Sequence, residues 1–220
     1  MKIPHKVSHI IFDLDGVLLD TEPLYTEATQ QVISPFGKVF EWSVKGHMIG
    51  RSSIEGARYL VRALELPISP EEFLRLRRPR LEALFGAAPE IPGARAFVEE
   101  LWQRRISAAL ATSSERALYE LKTTRHSWFA GFAATVCGDD PRLSALKPAP
   151  DIFLIAAAEL GVAPEQCLVF EDSPAGVSAA RAAGMQVVAL PDPNMDVSRY
   201  ADADLVIRSY SDITLADLGF

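Results

Sequence analysis

The stretch Ile10–Glu22, IIFDLDGVLLDTE, decides how the rest of the chain is read. Ile10, Ile11 and Phe12 make a short apolar run suited to a buried strand, and Asp13, Asp15 and Gly16 follow it. Residues i and i+2 of an extended segment point to the same side, so Asp13 and Asp15 can converge at the strand's end. Gly16 lets the chain turn sharply there. Two carboxylates held that close repel unless a cation lies between them, and a divalent metal with a phosphate would relieve the repulsion. Taken alone, Asp-x-Asp-Gly is also what a strand running into an acidic turn looks like.

The 220 residues, 49 % hydrophobic and 23 % charged, can bury one sizeable core or a core with a smaller insert. Apolar runs such as Val187–Leu190 fall far short of a membrane span. MKIPHKVSHI has no apolar segment ahead of a small-residue cleavage site, so no secretory signal is expected. Cys137 and Cys167 lack metal-ligand spacing and are expected as reduced, buried thiols of a cytoplasmic protein. A net charge of −7 argues against nucleic acid or an anionic membrane as the main partner. A small phosphorylated substrate remains compatible, because local cations override the overall sign.

From Asp20 to about residue 88 only helical patterns occur. Asp20–Phe36 and Ser52–Leu66 are amphipathic, and Ser69-Pro70-Glu71-Glu72 starts a further helix with Ser69 as N-cap and Glu72 placed for a capping box. That helix should reach about Phe85, with Pro79 kinking or dividing it. From Ile91 onward helices and strands alternate, with strands expected at Ile106–Ala111, Ala133–Cys137, Cys167–Phe170, Gln186–Leu190 and Ala203–Ile207. This order predicts an α/β fold, a Rossmann-like parallel sheet with helices on both faces formed by residues 1–19 and 90–220. An all-helical insert over residues 20–89 interrupts it. Ligands of such sheets gather at the carboxyl ends of the strands.

Four polar clusters stand at those ends: Asp13–Asp15, Thr112-Ser113-Ser114, Lys147, and Glu171-Asp172. Each has an ordinary alternative. Thr112–Ser114 is equally a helix N-cap, Lys147 a solvated loop lysine, and Glu171-Asp172 the acidic start of a helix. Their order along the chain is the informative feature, and it resembles the haloacid dehalogenase-like hydrolase superfamily, in the subfamily with an α-helical cap. All four motifs are present and the resemblance covers essentially the whole chain, with the helical insert in the place of the cap. The stretches LATSS, KTTRH, GDDP, KPAPDIF and CLVFEDSPAGVSAARAAGMQVVALPD are similar to the pseudouridine-5′-phosphatase-like and glycerol-3-phosphatase-like branch. The chain departs from that pattern at SALKPAP, which lacks a Gly before Lys147 and an Asp between the prolines.

The resemblance implies a phosphatase that hydrolyses small phosphomonoesters, sugar or nucleoside phosphates, through an aspartyl-phosphate. It implies Asp13 as nucleophile and Asp15 as general acid and base. Thr112, Ser113 and Lys147 would bind the phosphoryl group. Asp13, the Asp15 carbonyl, Asp172 and Glu171 would hold Mg²⁺, Glu171 directly or through water. The alternative is a β-phosphoglucomutase-like phosphomutase, a family with a histidine where this chain has Tyr25 and a cap arginine matched here by Ser53. A non-catalytic binding protein is the remaining alternative. In the cap, Arg51 and Arg80 are the residues expected to reach the substrate. His126 is expected to be structural, and Trp102, Trp128 and Phe129 to pack. A monomer is expected.

Overall fold

A computed structural model describes residues 6–49 and 52–220. Its centre is strand β1 (His9–Phe12), which pairs in parallel with β2 (Ala108–Ala111) on one side and β4 (Cys167–Glu171) on the other. Strand β3 (Ala134–Val136) lies outside β2, and β5 (Gln186–Ala189) and β6 (Leu205–Val206) extend the other edge. The order β3-β2-β1-β4-β5-β6 reverses direction beside β1, and in open α/β sheets that reversal opens a crevice at the carboxyl ends of the strands. Asp13 leaves β1 on one side of the crevice and Glu171 ends β4 on the other. The expected α/β architecture is the observed one.

Between β1 and β2 the described chain is helical: α1 (Glu22–Ile33), the short α2 (Trp42–Lys45), α3 (Ser53–Ala63) and α4 (Pro70–Phe85). Ser52 and Glu55 form the capping box that starts α3. Ser69 accepts the Glu72 N–H at 3.1 Å, but the Glu72 carboxylate turns to Arg75, so only half of the expected box forms at α4. Pro79 does not divide α4. Pro79 and Arg75, whose carbonyl would have bonded to residue 79, are both exposed, so water can replace the lost bond. Val32, Ile33, Ala57, Leu60 and Phe73 bury one another in an apolar cluster of these helices' own. The two passages joining them to the sheet pair with each other: Asp20 N–H donates to Pro89 C=O at 2.8 Å, and Ile91 N–H to Leu18 C=O at 2.9 Å.

The pleat distributes the strand residues between two layers. Phe12, Leu110 and Phe170 face α5 (Ala94–Gln103) through Phe97, Val98 and Leu101. Helix α6 (Arg116–Thr123) lies after β2 and touches the insert through Leu118 and Leu121, which pack on Ala28, Leu81 and Phe85. Ile11, Ala109 and Val169 face α7 (Asp151–Leu160) and α8 (Pro174–Ala182) on the opposite side. Cys137 and Cys167 are buried and unbridged. His126 is structural, as expected: its ring bonds Ala88 C=O at 2.8 Å and the Glu90 carboxylate at 3.1 Å, fastening the second passage. Trp128 and Phe129 are buried in the core and Trp102 packs against it. No described helix is long and apolar enough to cross a membrane.

Phe170 is fully buried, stacked on Phe12 at 5.0 Å and on Tyr210 at 5.9 Å. Phe170→Ala should lower the unfolding free energy by about 3–5 kcal/mol, read from the midpoint of urea denaturation at unchanged slope.

Candidate active site

Asp13 and Asp15 leave β1 on the same side, as the strand period requires, but meet different partners. The Lys147 ammonium lies 2.6 Å from Asp13 Oδ1 and 2.6 Å from Glu171 Oε1, and donates a third bond to the Ala111 carbonyl at 3.0 Å. Burial disfavours the lysine's charge, yet the two carboxylates outweigh burial and raise its pKa. For Asp13, burial dominates and raises its proton affinity; Lys147 opposes this, while Glu171 and Asp15 add to it. Glu171 uses its other oxygen to accept the Ser173 N–H and hydroxyl at 3.1 Å, at the start of α8. Only glycine fits at position 176, because a Cβ there would penetrate the Glu171 carboxylate.

Asp15 is held by a second lysine, Lys122, which opens the stretch KTTRH but lies outside the four polar clusters. The Lys122 side chain is 0 % exposed, and its ammonium lies 2.6 Å from Asp15 Oδ1 and 2.8 Å from Ser114 Oγ. Ser114 donates to the other Asp15 oxygen at 3.0 Å, and Thr21 to Oδ1 at 2.6 Å. Thr21 therefore precedes α1 without capping it by its side chain. Burial would raise the Asp15 pKa, but Lys122 and these donors reverse the effect and hold it below the ordinary value. Lys122 also lies over the Phe85 ring at 4.4 Å and the Tyr25 ring at 5.3 Å, both from the insert. Its sequence signal was weak: a lysine one residue after Leu121 and four after Leu118, on the apolar side of α6.

Thr112 is fully buried and closes the turn after β2 by accepting the Ser114 N–H at 3.1 Å. Ser113 is exposed and faces the cavity, and its N–H has no acceptor among the described residues. That free N–H is what an anion would meet. Gly138 makes this turn possible, since a Cβ there would overlap the Ser113 carbonyl. The cavity, about 330 Å³, has Asp13, Asp15, Lys147 and Asp172 at its floor and Glu22, Tyr25, Phe40, Lys45, Met48, Ile49 and Arg77 among its other lining residues. Leu146, where the related pattern has glycine, is exposed at its wall.

One of the two arginine expectations for the insert changes among the described residues. Arg80 does not line the cavity: its guanidinium donates to Leu76 C=O one turn back on α4, and the arginine that faces the cavity is Arg77. Arg51 lies outside the described residues.

Asp172 is the carboxylate of this cluster with no cationic partner among the described residues. Its oxygen lies so close to Gly16 that a Cβ on that residue would overlap it. Burial and the charges of Glu171, Asp13, Glu22 and Asp15 raise its proton affinity well above the ordinary range. The Asp15 carbonyl likewise accepts no hydrogen bond among the described residues. An uncompensated carboxylate beside a second carboxylate and a free carbonyl is a hard oxygen donor set that fits Mg²⁺. Among the described residues no three Asp, Glu, His or Cys side chains form a complete metal cage, so the carbonyl and water would have to complete the shell.

A family model described as haloacid dehalogenase-like hydrolase matches residues 7–184, from the residues before β1 through the end of α8. The chain belongs to the haloacid dehalogenase-like hydrolases. This hydrolase is 43 % identical over 222 residues to a Drosophila melanogaster protein named "Probable pseudouridine-5'-phosphatase", spanning 99 % of this chain and 96 % of that one. It is 42 % identical over 219 residues to (DL)-glycerol-3-phosphatase 2 of Arabidopsis thaliana, spanning 97 % and 91 %. The crystal structure of CbbY from Rhodobacter sphaeroides in complex with phosphate matches with a TM-score of 0.80 at 25 % identity, over 97 % of this chain and all of that one.

Lys122→Met should leave the Asp15 carboxylate without its cation and cost about 3 kcal/mol of stability, the low end for a broken buried pair because Asp15 keeps some exposure. Lys122→Met combined with Asp15→Asn should be destabilised by less than the sum of the two single changes. A double-mutant cycle of urea midpoints measures the difference.

Proposed function

We propose that this phosphoric monoester hydrolase is a Mg²⁺-dependent phosphatase of small phosphomonoesters, sugar or nucleoside phosphates, working through an aspartyl-phosphate on Asp13. The observation that carries this reading is the division of the two aspartates between two buried lysines, Lys147 and Lys122. Asp13, at the cavity floor, is free of hydroxyl donors and presents a carboxylate oxygen to attack phosphorus. As it attacks, the bond from phosphorus to the leaving oxygen breaks, and Asp15, an ionised carboxylate in the free site, passes to that oxygen a proton taken up from the bound phosphomonoester monoanion. Asp15 then takes a proton from the water that cleaves the acyl-phosphate, which restores Asp13 and releases inorganic phosphate.

Lys147 and the Ser113 N–H would neutralise the transferring group, with Thr112 shaping the turn that presents this N–H. Asp13, Asp172 and the Asp15 carbonyl would hold Mg²⁺, which supplies further positive charge to the phosphate oxygens. Glu171 has both oxygens occupied by Lys147 and Ser173, so its proposed role is to position Lys147 rather than to ligate the metal directly. Residues 20–89 are proposed as the cap and residues 1–19 and 90–220 as the core. The paired passages at Leu18–Asp20 and Pro89–Ile91 would serve as the hinge that lets water out and substrate in. A cytoplasmic monomer acting on a small metabolite, with neither nucleic acid nor membrane as partner, completes the proposal.

Tyr25 favours hydrolysis over phosphomutase chemistry. Its ring packs on Phe85 at 5.2 Å and its hydroxyl lies 3.4 Å from Lys122, so the place of the mutase histidine holds a side chain without an imidazole's proton shuttle. Hexose 1-phosphate should therefore release inorganic phosphate, and isomer formation without release would support the mutase instead.

Activity against a panel of phosphomonoesters should require Mg²⁺ and be lost in excess chelator. Asp13→Asn should abolish turnover. Asp15→Asn should slow alkyl phosphates by roughly 10²–10⁴-fold, the usual worth of general acid–base catalysis. With an aryl phosphate it should accumulate enzyme phosphorylated on Asp13, detected by mass spectrometry. Phosphorylation at another residue, or normal turnover by Asp13→Asn, would overturn the mechanism.

A further inference from the structure

Arg77 on α4 is only 9 % exposed, yet its guanidinium has no hydrogen-bond or ion-pair partner among the described residues, and its Nε is buried without an acceptor. It lies over the Phe73 ring at 5.2 Å and the Tyr25 ring at 5.7 Å, and it lines the cavity that holds Asp13. The other described cations of that cavity are paired: Lys45 with Glu22 at 3.1 Å, and Lys147 with Asp13 and Glu171. A guanidinium does not shed its charge when buried, so Arg77 is a cation without a contacting counter-ion in a low-dielectric wall, attracted at a distance by Glu22, which is itself paired with Lys45. The two aromatic rings restrict the plane of the group. Its donors are a fork suited to two oxygens in one plane. Tyr25 also touches Lys122, the partner of Asp15, so one tyrosine ring separates Arg77 from the catalytic end of the cavity.

We propose that Arg77 is the residue that reads the leaving-group end of the substrate. The preferred substrates are phosphomonoesters whose leaving group presents two adjacent oxygen acceptors in one plane, as the carboxylate of a hydroxy acid or sugar acid does. The inference rests on the phosphatase reading and adds the substrate class to it. The phosphate would sit against Asp13, Lys147 and Ser113, and the paired oxygens would meet Arg77 across the face of Tyr25. Arg77 acts on selection and alignment, with no part in proton transfer.

The test compares wild type with Arg77→Met and Arg77→Lys on phosphoglycolate, uridine 5′-monophosphate and propyl phosphate, which offer a carboxylate, two carbonyls separated by an N–H donor, and no second acceptor. Wild type should favour phosphoglycolate over the other two, and a preference for uridine 5′-monophosphate would overturn the substrate class. Arg77→Met should lower kcat/KM for the favoured compound by roughly 10- to 100-fold, the range for a hydrogen bond to a charged group, and change propyl phosphate by less than about 3-fold. Arg77→Lys, which keeps the charge but loses the fork, should recover only part of the loss. The thermal midpoint of Arg77→Met should equal or exceed that of wild type, because an unpaired buried charge is removed. An equal loss on all three compounds, a wild-type preference for propyl phosphate, or a lower midpoint would each overturn the assignment. If wild type cleaves none of the phosphomonoester panel, the phosphatase reading fails separately. The Arg77 inference is then decided by thermal-shift titration with the same compounds: stabilisation of wild type but not of Arg77→Met upholds it, and equal responses overturn it.

Discussion

Repulsion among carboxylates at one point of the sheet is the constraint on which the rest of this structure depends. Asp13, Asp15, Glu171 and Asp172 are brought together where the strand order reverses, and burial makes each charge costlier than it would be in water. Two buried lysines answer this, each from a different direction. Lys147 arrives on the loop after β3 and bridges Asp13 to Glu171, while Lys122 arrives on α6 and holds Asp15. Among the described residues the arrangement leaves Asp172 without a cationic partner, and it does so beside a carbonyl that accepts no hydrogen bond from them. The place left for an external cation is thus set by which carboxylates the protein neutralises itself.

Lys122 also couples the two parts of the chain. Its stem runs between core and insert, with its ammonium on Asp15 and Ser114 and its flank on Phe85 and Tyr25. The apolar seam of Leu118 and Leu121 against Ala28, Leu81 and Phe85 surrounds it and excludes water. Separating the seam would expose the lysine and weaken its hold on Asp15, because a salt bridge loses strength as the local dielectric rises. The seam and Asp15, the proposed acid–base residue, would therefore respond to the same motion, with Thr21 next to the paired passages contributing a third link.

The sheet was legible in the sequence because each strand is a short apolar run bounded by turn residues, and its catalytic ends were legible because polar residues follow those runs directly. Asp13, Asp15, Ser113, Glu171 and Asp172 all stand within about three residues of a strand's end, so strand position alone brings them to one crevice, while Lys147 reaches it from the loop between β3 and α7. Lys122 and Arg77 were not legible in this way. Each sits inside a helix among charged neighbours, where a lysine or arginine ordinarily lies in solvent. What buries them is the packing of α1, α4 and α6 around Tyr25, Phe73 and Phe85, contacts between residues distant in sequence. Arg80 illustrates the same limit from the other side. Three residues beyond Arg77 on α4, it bonds the carbonyl one turn back, and no helical pattern alone tells the two arginines apart.

Among the described residues the cavity of the free chain thus holds two buried ionisable groups without an ion-pair partner, Asp172 beside the Asp13 cluster and Arg77 in the wall supplied by the insert. Neither stabilises the fold as it stands, since an unpaired buried charge costs more than the apolar residue that would replace it. On the proposed reading, a divalent cation held by Asp13 and Asp172 and an acceptor-rich group toward the insert would supply the opposite charges. A phosphomonoester would join those two ends, its phosphate toward Lys147 and its leaving group toward Arg77. Binding would relieve both deficits at once and draw the insert toward the core, so the free energy of closure would come from charges that the empty protein leaves unmatched.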